Sequence, residues 1–178
     1  MTDSDVTIVI PIYNAASHLA ETLDSILTQE GASIAVVCVD DWSTDGSPAI
    51  LRPYERRDPR LTGLHQAKSG SSADRKRGLW QASGAWVCFV DADDLLAPGA
   101  LFLLTKALRT EADIVYFDHL RFSTQVPSVR ASASMPTRTF DGDGMTSASF
   151  KATASTACLL YNSPSPRDRT RSRMPSSA

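Results

Sequence analysis

The chain has 178 residues, enough for one sizeable core, and is 42% hydrophobic and 21% charged, an ordinary globular composition. Its net charge of −2 supplies no bulk attraction to nucleic acid or anionic lipid. No apolar run reaches membrane-spanning length, residues Met1 to Asp5 carry no signal-type pattern, and Cys38, Cys88 and Cys158 lack metal-ligand spacing.

These features predict a reduced, cytoplasmic setting, extending to the inner face of a membrane, without a transmembrane segment. Cys38 and Cys88 lie in apolar runs and read as small buried hydrophobes.

Val6 to Ile10 is a short β-branched run that predicts a buried strand, stopped by Pro11. Leu19, Leu23, Ile26 and Leu27 then recur at helical spacing, with Ser17 as N-cap and Gly31 beyond the end. Ile34 to Val39 is the second strand. It runs into Asp40-Asp41-Trp42-Ser43-Thr44-Asp45-Gly46, where Ser43 to Asp45 read as the cap of the next helix, begun near Ser47-Pro48. Leu61 to His65 is a weaker strand. Ser69 to Ser72 is a polar loop, followed by a helix from about Ser72 to Ala82 that carries Asp74, Arg75, Lys76 and Arg77. Trp86 to Val90 is the next strand, Pro98 starts a further helix, and Asp113 to Phe117 is a last strand.

This alternation predicts an α/β sandwich with a mostly parallel central sheet. Ligands bind such sheets beyond the carboxyl ends of the strands. Three strand-end loops carry the unusual polar residues: Pro11 to Asn14, Asp40 to Gly46 and Asp91 to Asp94. In the third, three carboxylates fall within four positions. Their repulsion and lost hydration would be relieved by a divalent cation, and Mg2+ or Mn2+ suits oxygen ligands while leaving positions for a diphosphate. The other reading of the cluster is an acidic turn with Asp94 capping the following helix.

Tyr13 can lay its ring near a base and Asn14 can fix its turn. Asp40 and Asp41 can accept from a uracil-type N–H or a ribose hydroxyl. Arg75, Lys76 and Arg77 can reach phosphate oxygens, although Lys76 and Arg77 equally suit a solvated helix face.

Four stretches, Val6-Thr-Ile-Val-Ile-Pro-Ile-Tyr-Asn14, Val39-Asp-Asp-Trp-Ser-Thr-Asp-Gly46, Ser72-Ala-Asp-Arg-Lys-Arg-Gly-Leu79 and Gly84-Ala-Trp-Val-Cys-Phe-Val-Asp-Ala-Asp-Asp-Leu95, together resemble the family 2 glycosyltransferases of GT-A fold. The resemblance covers residues 5–122. It implies a nucleotide-diphospho-sugar donor, most often a UDP-sugar, bound with Mg2+ or Mn2+, and inverting transfer to a hydroxyl of a glycan or lipid-linked acceptor. It further implies that Pro11, Tyr13 and Asp41 line the nucleoside pocket with Asp40 beside them; Asn14, which fixes the turn, is grouped with these donor-nucleotide residues. Arg75 would sit near the diphosphate, Asp91 would face the ribose or donor sugar, and Asp93 would be the metal ligand.

Three positions depart from the pattern. Trp42 stands where the family has Gly or another small turn residue, and a positive φ there would strain it. Asp74 and Lys76 replace the usual Ala and Asn around Arg75.

The chain divides near Ser123. Residues 1–122 hold 17 acids against 11 Lys and Arg, whereas residues 123–178 hold 3 acids against 7. Ser and Thr fill 19 of those last 56 positions, and the only clear apolar run is Cys158-Leu159-Leu160-Tyr161. The expectation is a donor-binding domain over 1–122, incomplete at the C-terminal side of the fold, and a low-order Ser/Thr/Arg/Pro-rich tail over 123–178, the product of a truncated or frameshifted reading frame. Asp141, Asp143 and Asp168 are the acids of that tail and none has the context of a catalytic base, so none is assigned. The competing reading is a nucleotide-sugar-binding remnant without turnover. An aspartate-dependent phosphatase fits less well, because no Thr follows Asp91-Ala92-Asp93. A dinucleotide oxidoreductase lacks its glycine fingerprint after the first strand.

Overall fold

A computed structural model describes residues 4–107 and three short strands further on, 114–116, 138–140 and 159–162. The elements alternate: β1 (Val6–Ile12), α1 (Leu19–Leu27), β2 (Ile34–Asp41), α2 (Ser47–Arg57), β3 (Leu61–Gln66), α3 (Ser71–Gln81), β4 (Trp86–Phe89), α4 (Ala100–Ala107), β5 (Ile114–Tyr116), β6 (Arg138–Phe140) and β7 (Leu159–Asn162). The sheet order is β3-β2-β1-β4-β7-β5-β6. The first four strands are parallel, as expected for the α/β reading. β7 pairs antiparallel with both β4 and β5, and β6 pairs antiparallel with β5.

β1 is buried on both faces, which is why it reads as an unbroken apolar run. Val6, Ile8, Ile10 and Ile12 share one core with Leu19, Leu23 and Ile26 of α1, Leu51 of α2 and Leu101 and Leu104 of α4. Val9 faces the other way, with Val37, Val39, Val87 and Ala82. Each fully buried Leu or Ile contributes about 1.5–3 kcal/mol relative to exposure. α3 covers this second face and packs against β1 so closely that a Cβ on Gly78 would overlap Val9. That contact fixes the height of α3, and hence where its first turn meets the rim of the sheet.

Chain order runs from β1 through β2 to β3, then crosses back to β4 on the other side of β1. The carboxyl ends of β1 and β4 therefore border the crevice where such folds bind ligands.

Several local expectations are corrected. Pro11 does not stop β1, which continues to Ile12 with Pro11 opposite Val39. The Val9 carbonyl accepts from Val90 N–H at 3.1 Å, so residue 11 faces the same side, past the end of β4. The N–H that proline lacks has no ladder partner to lose there. Ser17 does not cap α1. The residue before the helix is His18, without a side-chain cap, and the amides of Ala15 and Ala16 are held instead by Ser47 at the start of α2 and by Asp45 in the loop before it. Ser43 does not cap α2 either: the residue before the helix is Gly46, without a side-chain cap, and Asp45, one position further out, accepts Ser47 N–H at 2.9 Å. α4 starts at Ala100 rather than Pro98, after a turn with Gly99 at φ 84°, so Asp94 lies too far upstream to cap it.

Cys38 and Cys88 are buried free thiols, and burial pushes the Cys38 pKa upward, which suits an inert packing role. Cys158, Asp141, Asp143, Asp168 and the Ser/Pro/Arg-rich residues 163–178 lie outside the described residues. The apolar run of the tail supplies β7. Among the described residues no helix is long and apolar enough to cross a membrane.

Candidate functional site

The carboxyl rim of the sheet opens into a cleft of about 450 Å³. Its lining comes from three loops and the first turn of α3. Pro11, Tyr13 and Asn14 follow β1, Asp41 ends β2, Lys68 and Gly70 lead into α3, Asp74 and Arg75 lie on α3, and Asp91 and Asp93 follow β4. The volume lies in the usual range for small-molecule sites, roughly 300–1,000 Å³.

The loops are tied to one another by side chains rather than by helix caps. Asn14, at φ 50°, accepts Thr44 N–H on its Oδ1 at 2.8 Å and donates its own N–H to Ser43 Oγ at 3.0 Å. Ser47 Oγ and Asp45 hold the amides of Ala15 and Ala16 at 2.9 Å each. Burial raises the pKa of Asp45, but bonds from Ser47 and Ala16 outweigh it and keep that pKa below the ordinary aspartate value. The β4 turn is fixed from below, where Thr22 Oγ1 donates to the Ala92 carbonyl at 2.8 Å.

Asp40 and Asp41 are adjacent on a strand, so their side chains point to opposite faces. Only Asp41 reaches the cleft. Its two oxygens accept Ser69 N–H at 2.6 Å and Gly70 N–H at 2.8 Å, which clamps the loop before α3. Asp40 does not line the cleft. It turns to His65 Nδ1 at 3.1 Å and accepts Ser43 N–H at 3.3 Å. Both carboxylates are buried.

Asp91 and Asp93 are more open. Arg75 donates to Asp91 Oδ1 at 2.6 Å, joining α3 to the β4 loop across the cleft. Asp93 is exposed and its carboxylate has no hydrogen bond or ion pair with another described residue. The described residues contain no group of three or more His, Cys, Asp or Glu able to hold a metal by themselves. An oxygen-only pair of this kind does fit Mg2+ or Mn2+, hard cations that keep water and phosphate oxygens in their remaining positions.

Two charged lining residues, Asp74 and Lys68, were given no role by the sequence. Asp74 was visible only as a departure from a motif. It is 1% exposed, accepts a short hydrogen bond from Gln66 Nε2, and has its pKa raised to about 6, first by burial and then by the charge of Asp41. Lys68 carried no signal at all. It lies over the Tyr13 ring and bonds its hydroxyl. Lys76 and Arg77 do not line the cleft: Lys76 lies over Trp80, and Arg77 reaches Gln66 at 3.5 Å. Trp42, beside Asp41, takes φ 61° and is 65% exposed, so the positive φ feared for it is present.

Known proteins resemble this chain in sequence and fold. Glycosyltransferase GlyA of Streptococcus pneumoniae is 36% identical over 124 residues, covering 69% of this chain and 18% of GlyA. Residues 1–349 of S. aureus TarS, solved in complex with UDP-GlcNAc, superpose with a TM-score of 0.58 at 30% identity, over 62% of this chain and 33% of that one. The mannosyltransferase PcManGT of Pyrobaculum calidifontis, solved with GDP-Man and Mn2+, gives the same TM-score at 30% identity, over 64% and 35%. The architecture is that of the GT-A fold. The chain spans less than half the length of the curated relatives it matches. The profile of glycosyl transferase family 2 matches residues 7–159, well over half of the sequence, and the chain therefore belongs to that family.

Proposed function

We propose that residues 1–122 are the donor-binding part of an inverting, metal-assisted glycosyltransferase that moves a sugar from a UDP-sugar to a hydroxyl of a glycan or lipid-linked acceptor, in the cytoplasm or at the inner face of a membrane. The observation that carries this reading is the convergence of Tyr13, Asp41, Arg75, Asp91 and Asp93 on one cleft at the β1–β4 crevice. The complexes of TarS with UDP-GlcNAc and of PcManGT with GDP-Man and Mn2+ support it.

In this reading Pro11 and Tyr13 form the wall for the base. Asp41 offers remaining lone pairs to a base N–H, since each carboxylate oxygen can accept twice. Asn14 sets the wall's turn, and Asp40 holds the β2 loop from behind. Arg75 faces the diphosphate while fixing Asp91, whose free oxygen faces the ribose or donor sugar. Asp93 would hold Mg2+ or Mn2+, which when bound supplies charge stabilisation for the departing diphosphate. The acceptor oxygen forms its bond to the anomeric carbon as the bond to the diphosphate breaks, and the acceptor's proton passes to a base. No base is assigned among the described residues.

The test is release of UDP from UDP-GlcNAc and other UDP-sugars, and of GDP from GDP-sugars, in MnCl2, with wild type and Asp93→Ala. Wild-type release that the variant loses by about 10²-fold or more supports the reading, since removing several kcal/mol of charge stabilisation has that size. Donor binding without any release would point to a binding remnant.

A further inference from the structure

Two cations line the cleft, and their attachments differ. Arg75 is already engaged by the Asp91 carboxylate. Lys68 has no ion pair with a described residue; its Nζ donates to the Tyr13 hydroxyl at 2.7 Å and lies 4.3 Å from the centre of the Tyr13 ring. The ring that would carry the base therefore has an ammonium on one face.

The hold is weak. Lys68 and Tyr13 are both exposed, and a solvated cation–π contact with a bond to a neutral hydroxyl is a smaller attraction than an ion pair with anionic phosphate oxygens. The attachment of the side chain is nonetheless fixed. Ser69 and Gly70, the next two residues, are pinned through their amides to Asp41. A flexible four-carbon stem thus hangs from an anchored backbone at the edge of the cleft. The lining charges are mainly acidic, with Asp41, Asp74, Asp91 and Asp93 against Lys68 and Arg75. A diphosphate entering that field needs a cation that is not already committed to a carboxylate.

Resting on the donor-site reading above, we propose that Lys68 is a diphosphate-binding residue held in reserve on Tyr13. It leaves the ring as the base arrives and transfers its ammonium to the donor's phosphate oxygens. The same movement uncovers Tyr13 for stacking, so base and phosphate recognition are coupled through one side chain.

Calorimetric titration of the full chain with uridine and with UDP, each in MnCl2, tests this with wild type, Lys68→Met and Lys68→Arg. Lys68→Met should weaken UDP about tenfold, the scale of one charge-assisted contact, and flatten the salt dependence of UDP binding. It should leave uridine unchanged or bound slightly tighter, because the ring no longer has to be vacated. Lys68→Arg should keep UDP within about threefold of wild type. Thermal melting of both variants should match wild type, since residue 68 is exposed. Unchanged UDP binding in Lys68→Met, or equal losses for uridine and UDP, overturns the role of Lys68 while leaving the donor site standing. Wild type that binds neither compound overturns the donor site and this inference together.

Discussion

Two acid pairs end two strands of the same sheet, and the structure uses them in opposite ways. Asp40 and Asp41 are 4% and 2% exposed, and every carboxylate oxygen has a partner: Ser43, His65, Ser69 and Gly70. Asp91 and Asp93 sit at the lip, with Arg75 on the first and no described partner on the second. Buried carboxylates persist only when hydrogen-bonded, so the first pair is part of the framework. An exposed carboxylate keeps its hydration and can exchange it for a cation, so in the second pair Asp93 is left open while the half-buried Asp91 is held by Arg75. The residue pattern is nearly the same; depth and local partners separate a buried clamp from a pair at the lip.

Substitution at Asp41 and Asp93 should break that symmetry. Asp41→Ala leaves the amides of Ser69 and Gly70 without their acceptor, a loss of about 2–4 kcal/mol if water does not replace it. For a chain of this size that lowers Tm by roughly 5–15 °C. Asp93→Ala should leave Tm unchanged while removing UDP release. Differential scanning calorimetry alongside the release assay checks both, and equal Tm losses in the two variants would mean that the pairs do not differ in kind.

Asp74 sharpens the comparison, because it is a third buried acid, close enough to Asp41 and Asp40 to feel both charges. Its pKa is raised from 3.8 to about 6, first by burial and then by Asp41. The folded state therefore binds this proton more tightly than the unfolded chain. The resulting penalty is absent below about pH 4, grows as pH rises from 4 to 6, and is complete above 6. Asp74→Asn keeps an acceptor for Gln66 and removes the charge. It should stabilise the protein by roughly 1–3 kcal/mol at pH 8 and by close to nothing at pH 4. Urea unfolding at the two pH values measures the difference; a gain that does not change with pH would trace to packing instead of ionisation.

Much of this was readable in the residues. Val6 to Ile10, Ile34 to Val39 and Trp86 to Val90 are apolar runs that only a doubly covered sheet can bury, and the helix of Leu19, Leu23 and Ile26 shows its face by spacing alone. The rim acids were legible because acids at the ends of two parallel strands must fall on the same rim of the sheet. What stayed hidden depends on partners far along the chain. Asn14 meets Thr44 and Ser43, Asp41 meets Ser69, and Lys68 meets Tyr13 across 55 positions. Ser17 and Asp94 had the right types for caps, but tertiary bonds supplied their segments differently. The antiparallel β7 was equally out of reach, since its four residues gain strand structure from pairing with β4 and β5.

Trp42 gives the smallest expected effect and the finest probe of the clamp side. An L-residue at φ 61° has its Cβ crowded by the backbone, a penalty of roughly 1–2 kcal/mol, and the exposed indole recovers little of it by burial. Trp42→Gly removes the crowding but adds freedom to the unfolded chain, about 0.5–1 kcal/mol in the other direction. The net should be a stabilisation of about 1 kcal/mol or less. Trp42→Ala is the decisive comparison, because it deletes the same indole yet keeps the Cβ. If strain is what matters, Gly stabilises and Ala does not. If both variants stabilise equally, the exposed ring itself is the burden and the backbone turn is relaxed. If both destabilise, the indole makes a contact that holds the loop of Asp40 and Asp41 in place, and the framework of that buried pair extends one residue further than its hydrogen bonds indicate.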